Sequence, residues 1–150
     1  MNSSGSDVST RTVLVIEDNP ADVRLVREGI DATSIEIELT VINSGRRAGE
    51  RLTAIDGDRP EDHPDLILLD LNLPGKSGFD VLETVRTETA FPDVPVVVVS
   101  SSENPDDINR VYEQSANAYA TKPADPDDYI RMIDAIVDFW VATATPSTND

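Results

Sequence analysis

Leu66-Ile67-Leu68-Leu69-Asp70 is four apolar residues in unbroken succession, ended by a carboxylate. A strand covered on both faces of a sheet reads this way, whereas a strand with one wet face alternates. Outward from it, Val13-Leu14-Val15-Ile16 and Val96-Val97-Val98-Val99 repeat the pattern, each closed by a polar residue. Ile35 to Val41 alternates apolar Ile35, Ile37, Leu39 and Val41 with Glu36, Glu38 and Thr40, which places it at a sheet edge. Ala118-Tyr119-Ala120-Thr121 is a short fifth strand candidate that takes its support from its place in the order.

Between these runs the period becomes helical. Three helix starts carry a capping residue followed by proline: Asn19-Pro20, Asn104-Pro105 and Asp125-Pro126. Apolar stripes follow at Val23, Val26 and Ile30; at Ala48, Leu52 and Ile55; at Phe79, Leu82 and Val85; at Ile108, Val111 and Tyr112; and at Tyr129, Met132, Ile133, Ile136 and Trp140. Strand then helix, five times over, calls for an α/β fold: a doubly wound, five-stranded parallel sheet with helices on both faces. One domain over residues 12–142 is expected, with loose tails at 1–11 and 143–150, and an exposed acidic loop from Asp56 to Pro64 that carries a solvated His63.

Composition removes many functions. With 150 residues, 12 basic and 29 acidic, the net charge is −17, which repels nucleic acid and anionic membrane. No cysteine and one histidine exclude a disulfide framework, a zinc-thiolate site and a histidine metal cluster. No apolar run reaches 18 residues, and the Ser- and Asp-rich first ten residues fit neither signal peptide nor anchor, so a cytoplasmic location is expected. Asp outnumbers Glu 19 to 10 and only Lys76 and Lys122 are lysine, a balance suggesting adaptation to high salt.

Ligands of an open parallel sheet bind beyond the carboxyl ends of its strands. There this chain has Glu17-Asp18, Asp70, Ser100-Ser101 and Lys122. Clustered carboxylates repel unless a cation relieves them, and an all-oxygen set suits Mg²⁺, with Asp18 and Asp70 as direct ligands. An oxygen of Asp70 is then left as acceptor for a phosphoryl group, Lys122 neutralises the phosphate, Ser100 donates to it, and the Ser101 backbone adds a further hydrogen bond. The plain alternatives are helix capping for Glu17-Asp18 and ordinary strand-end residues for the serines. Asp70 resists such a reading, because its strand leads it to a buried edge where an unpaired charge costs several kcal/mol.

These residues resemble the receiver domain of two-component response regulators. The likeness covers about residues 11–141 through Glu17-Asp18, Leu68-Leu69-Asp70-Leu71-Asn72-Leu73-Pro74-Gly75, Ser100 and Lys122-Pro123, with 30 residues from Asp70 to Ser100 and 22 from Ser100 to Lys122. The resemblance implies a flavodoxin-like sheet of order 2-1-3-4-5. It also implies phosphorylation of Asp70 by a sensor histidine kinase. Mg²⁺ would be held by Asp18, Asp70 and the Asn72 backbone carbonyl, with Glu17 acting through a metal-bound water. Lys122, Ser100 and Ser101 would bind phosphate, and Ser100 and Tyr119 would form the switch. Ser77 stands where many members carry an acid, Ser100 replaces the commoner threonine, and 52 residues separate Asp18 from Asp70, the excess falling in the Asp56–Pro64 loop.

That loop, the Ser-Ser-Glu-Asn run from Ser101 and the terminal Asp138-Phe139-Trp140 look like small regulators paired with phytochrome-type kinases. A stand-alone, non-enzymatic receiver is expected, working through protein contacts at the face of the fourth helix, fifth strand and fifth helix. Phe139 and Trp140 serve a homodimer or a downstream protein there, or Trp140 is core. A phosphorylation-independent binding module is one rival. A Mg²⁺-dependent phosphatase of the haloacid dehalogenase type is another, but it needs an acid two residues beyond its nucleophile, where this chain has Asn72.

Overall fold

A computed structural model describes residues 10–142. Five strands, β1 (Arg11–Ile16), β2 (Ile37–Ile42), β3 (Leu66–Leu69), β4 (Val96–Ser100) and β5 (Ala118–Thr121), alternate with five helices, α1 (Pro20–Ala32), α2 (Gly45–Ala54), α3 (Gly78–Glu88), α4 (Pro105–Glu113) and α5 (Pro126–Val137). The sheet is parallel throughout with the order β2-β1-β3-β4-β5. This is the doubly wound, flavodoxin-like arrangement expected.

The three apolar runs are buried along their whole length, and alternation divides them between two cores. Val13, Val15, Leu66, Leu68, Val97 and Val99 pack with α1 and α5, while Leu14, Ile16, Ile67, Leu69, Val96 and Val98 pack with α2, α3 and α4. The three predicted caps all form: Asn19 accepts from the Ala21 backbone N–H at 2.9 Å, Asn104 from that of Asp106 at 2.9 Å, and Asp125 from that of Asp127 at 2.7 Å. Ser44 and Ser77 cap α2 and α3 in the same way.

Several expectations shift. β1 opens at Arg11, inside the segment taken as a tail, because its backbone N–H donates to the Glu36 carbonyl at 3.0 Å and so extends the pairing with β2. Residues 1–9 and 143–150 of the expected tails lie outside the described residues. β2 runs from Ile37 to Ile42 rather than from Ile35 to Val41, since Ile42 pairs with Ile16 and is buried beside α2. His63 is half-buried, not solvated: its ring packs against Phe91 at 5.2 Å and Nε2 lies 3.1 Å from the Asp56 carbonyl. Pro60–Asp62 forms a 3₁₀ turn within the exposed loop, and α5 continues into a π turn, Asp138–Ala142. Trp140 packs on the α1/α5 core as its helical spacing allows, while Phe139 is exposed.

The first residue of α2 meets the loop after β3 at backbone distance. A Cβ on Gly45 would stand 1.8 Å from the Lys76 carbonyl oxygen, so only a bare backbone fits. Gly45→Ala is expected to cost about 1–3 kcal/mol in urea unfolding. Gly57→Ala, whose added methyl meets only the Ala90 side chain at 3.4 Å, should stay within about 0.5 kcal/mol of the parent. Equal midpoints for the two variants would contradict this packing.

Candidate functional site

Strand register builds the site. Ile16 pairs with Leu69, so the next residues, Glu17 and Asp70, leave β1 and β3 side by side, and the Asp70 backbone N–H donates to the Ile16 carbonyl at 3.0 Å. Ser100 pairs with Thr121, which brings Ser101 and Lys122 level on the far side, and the Lys122 backbone N–H donates to the Ser100 carbonyl at 2.9 Å. An open cleft of about 840 Å³ results, lined among others by Glu17, Asp18, Asp22, Asp70, Asn72, Ser101 and Lys122.

Carboxylate oxygens of Glu17, Asp18 and Asp70 lie within 4.8 Å of one another; Glu17 and Asp70 are buried and Asp18 is exposed. Lys122 faces this trio from the β5 side. Its Nζ donates to Glu17 Oε1 at 2.8 Å, to Asp22 Oδ2 at 2.7 Å and to Asp70 Oδ2 at 3.3 Å. The second Glu17 oxygen accepts from the Asn19 backbone N–H at 3.1 Å, and Asp70 Oδ1 from that of Asn72 at 3.3 Å.

Electrostatics follow from the burial. Desolvation, with the charge of Asp70 added, pushes the Glu17 carboxyl up to about 7 even though Lys122 pulls the other way. Burial works against charge on Lys122, but the hydrogen bonds to Asp22 and Glu17 and the charge of Asp70 outweigh it and hold the ammonium above its ordinary value. Burial likewise raises the phenol of Tyr129, which the same charged groups surround, and Tyr129 lines a small, mostly apolar hollow beside Glu17 and Asp70. A trio of oxygen donors carrying more negative charge than one ammonium offsets is the donor set of a hard divalent cation.

Of the residues read from the sequence, Glu17, Asp18, Asp70, Asn72, Ser101 and Lys122 meet at the cleft. Ser100 and Tyr119 do not. Ser100 continues the Val96–Val98 face, is fully buried, and its Oγ accepts from the Ser102 backbone N–H at 3.2 Å. Tyr119 packs against that same core, and its hydroxyl donates to the Ser102 carbonyl. Asp22 was not anticipated, because an acid in the first turn of a helix is accounted for by the helix dipole alone.

Comparisons with known proteins find relatives over most of the chain. A family model for the response regulator receiver domain matches residues 13–134. Response regulator Rcp1 of Synechocystis sp. is 37% identical over 135 residues, spanning 90% of this chain and 92% of that protein. The crystal structure of the Mn²⁺-bound form of Rcp1 aligns with a TM-score of 0.81 at 37% identity, over 90% of this chain and 97% of that one. The phosphorylated cyanobacterial phytochrome response regulator RcpA aligns at 0.83 and 36% identity, over 91% and 97%.

The raised Glu17 pKa fixes a pH dependence. Its folded value lies above the unfolded 4.5, so its contribution to stability is complete below about pH 4.5 and is lost as the pH rises through about 7. Between pH 5 and 8, metal-free protein should lose about 1–3 kcal/mol relative to Glu17→Gln, which has no proton to release. Urea unfolding of both proteins across that range measures it, and a gap that does not move with pH contradicts a buried, protonatable Glu17.

Proposed function

The chain belongs to the response regulator receiver family, and from that premise we propose that Asp70 accepts a phosphoryl group from the phosphohistidine of a sensor histidine kinase in a Mg²⁺-dependent reaction. Members of the family are signalling proteins phosphorylated on aspartate in two-component systems, and RcpA, among the proteins this chain resembles, is a phytochrome response regulator. The observation that carries the proposal is Asp70 itself: a carboxylate only 6% exposed, at the floor of an open cleft, 3.3 Å from Lys122.

An Asp70 oxygen attacks phosphorus, the phosphorus–nitrogen bond to histidine breaks, and the imidazole leaves with the electron pair. Lys122 neutralises the transferring oxygens and the Ser101 backbone donates to them. Asp18, Asp70 and the Asn72 backbone carbonyl are the groups to hold the metal, with Glu17 reaching it through water. Bound there, Mg²⁺ offsets the charge that builds on the phosphoryl group as it meets the acids. Ser100 then turns toward the phosphoryl group and Tyr119 follows, which alters the face of α4, β5 and α5. Tyr112, 49% exposed on that face, accepts from the Tyr119 backbone N–H and lies within reach of a downstream protein or a second copy. A phosphatase is disfavoured, since Asn72 supplies only an amide where an acid is needed.

Cytoplasmic work at high ionic strength fits the chain's charge of −17. No helix among the described residues is long and apolar enough to cross a membrane. Salt screens repulsion among the surface carboxylates, so the melting temperature should climb when KCl is raised from about 0.1 to 2 M, and a fall would count against adaptation to salt.

Intact mass after incubation with Mg²⁺ and acetyl phosphate tests the phosphoacceptor directly. One phosphoryl mass should appear in the parent and be absent from Asp70→Asn and from a metal-free control. Folded, metal-binding protein that gains no mass from this donor or from a histidine kinase would support the phosphorylation-independent binding module instead.

A further inference from the structure

We infer that Asp22 is a positioning residue of this site: it holds Lys122 in the resting protein and competes with a phosphoryl group for that ammonium. The inference rests on the reading of Asp70 as phosphoacceptor.

An ammonium has three N–H donors, and those of Lys122 are spent on Asp22 at 2.7 Å, Glu17 at 2.8 Å and Asp70 at 3.3 Å. The two shorter contacts are the ones that do not involve the acceptor. A phosphoryl group on Asp70 takes over the long 3.3 Å contact, but a second charge-assisted hydrogen bond from Lys122 forms only when one of the two shorter contacts is given up. Which one is a question of solvation. An oxygen that loses its donor must find water or remain unsatisfied at a cost. The Glu17 side chain is 4% exposed and the Asp22 side chain 20% exposed, facing the cleft. Asp22 is therefore the contact that yields, and its charge, remaining at the wall of the cleft, repels whatever anion displaces it.

Asp22 has no capping duty in the helix it belongs to. As the third residue of α1 it occupies the position from which an acid reaches back to the capping residue's N–H. Here the Asn19 N–H donates instead to Glu17 Oε2 at 3.1 Å, and the cap is made by Asn19 Oδ1 on the Ala21 and Asp22 backbone N–H groups. Those bonds survive replacement of the Asp22 side chain, so Asp22→Asn should leave α1 capped. What the replacement removes is a negative charge in front of Lys122.

Damage to the site and loss of a competitor have opposite signs, which makes the inference testable. Beryllofluoride in the presence of Mg²⁺ is the probe, an anion that caps the acceptor carboxylate as a phosphoryl group does. Asp22→Asn should bind it about three- to tenfold more tightly than the parent at low salt, with the gain shrinking in about 2 M KCl. Asp22→Glu, which restores the charge, should return binding to the parent value. Intact mass should show higher phosphoryl occupancy of Asp22→Asn at equal acetyl phosphate. Binding by Asp22→Asn that is equal to or weaker than the parent's, with thermal unfolding intact, overturns the role of Asp22 and leaves Asp70 as acceptor. Failure of the parent itself to take up beryllofluoride or phosphate at Asp70 overturns the acceptor reading and this inference with it.

Discussion

A single ammonium stands between three carboxylates at the carboxyl edge of the sheet, and the geometry of that edge is set around it. Register alone forces Glu17 and Asp70 together, since Ile16 and Leu69 are paired and each is followed by an acid. Two adjacent buried charges of one sign would cost several kcal/mol in free energy. Lys122 offsets much of that cost, and it arrives there because β5 pairs with β4 through Ser100 and Thr121. The offset is incomplete, as the raised Glu17 carboxyl shows. The residual negative charge faces an open cleft, so whatever cation enters it gains free energy that the fold has already spent in bringing the acids together.

Strand alternation then assigns the parts of the site to opposite sides of the sheet. Glu17, Asp70 and Lys122 fall in phase with the residues of the α1/α5 core, while Ser100 and Tyr119 belong with the core under α2, α3 and α4. The two sides meet where β4 ends. There Ser102 gathers four connections: its N–H donates to Ser100 Oγ, its carbonyl accepts from the Tyr119 hydroxyl, and its own Oγ donates to Asp107 of α4 at 2.8 Å and accepts from the Asn104 backbone N–H at 3.2 Å. Elsewhere on that face the packing is fixed. Arg86 donates to the Ser115, Pro92 and Val94 carbonyls and to Asn117, tying α3 to the segment that leads into β4 and to the turn before β5. Ser115 holds a left-handed backbone, φ 70°, within that clasp. Ser100 thus has a hydrogen-bonded connection to α4 through Ser102, while Arg86 ties α3 to the strand ends on the opposite edge of the sheet.

How much of this the sequence disclosed depends on whether a signal was local. Fully buried strands announce themselves, because a run of four apolar residues has few other uses, and proline after a capping residue marks a helix start by chemistry confined to two positions. The edge strand was displaced, since alternation from Ile35 says nothing about where β1 ceases to offer a partner. His63 was misread for a similar reason: its packing partner Phe91 lies 28 residues away. The cleft residues were legible as strand-end positions, but the side of the sheet on which Ser100 sits was not drawn from the pattern, although its phase with Val96 and Val98 contains it.

Asp22 shows the deeper limit. In a chain with 29 acids, the presence of a carboxylate carries almost no information; its environment carries nearly all of it. Most of the acids among the described residues are exposed. Asp80, Asp106 and Asp127 occupy first turns of helices as Asp22 does, and all are exposed at the surface. Asp22 differs only because α1 packs against α5, so that its first turn closes over the residue that follows β5, and because Glu17 has already taken the Asn19 N–H. A contact between residues 100 positions apart has converted an ordinary helix acid into a partner of Lys122. For Asp22, unlike Asp70, the distinguishing mark is the cation it is made to share rather than its own position in the chain.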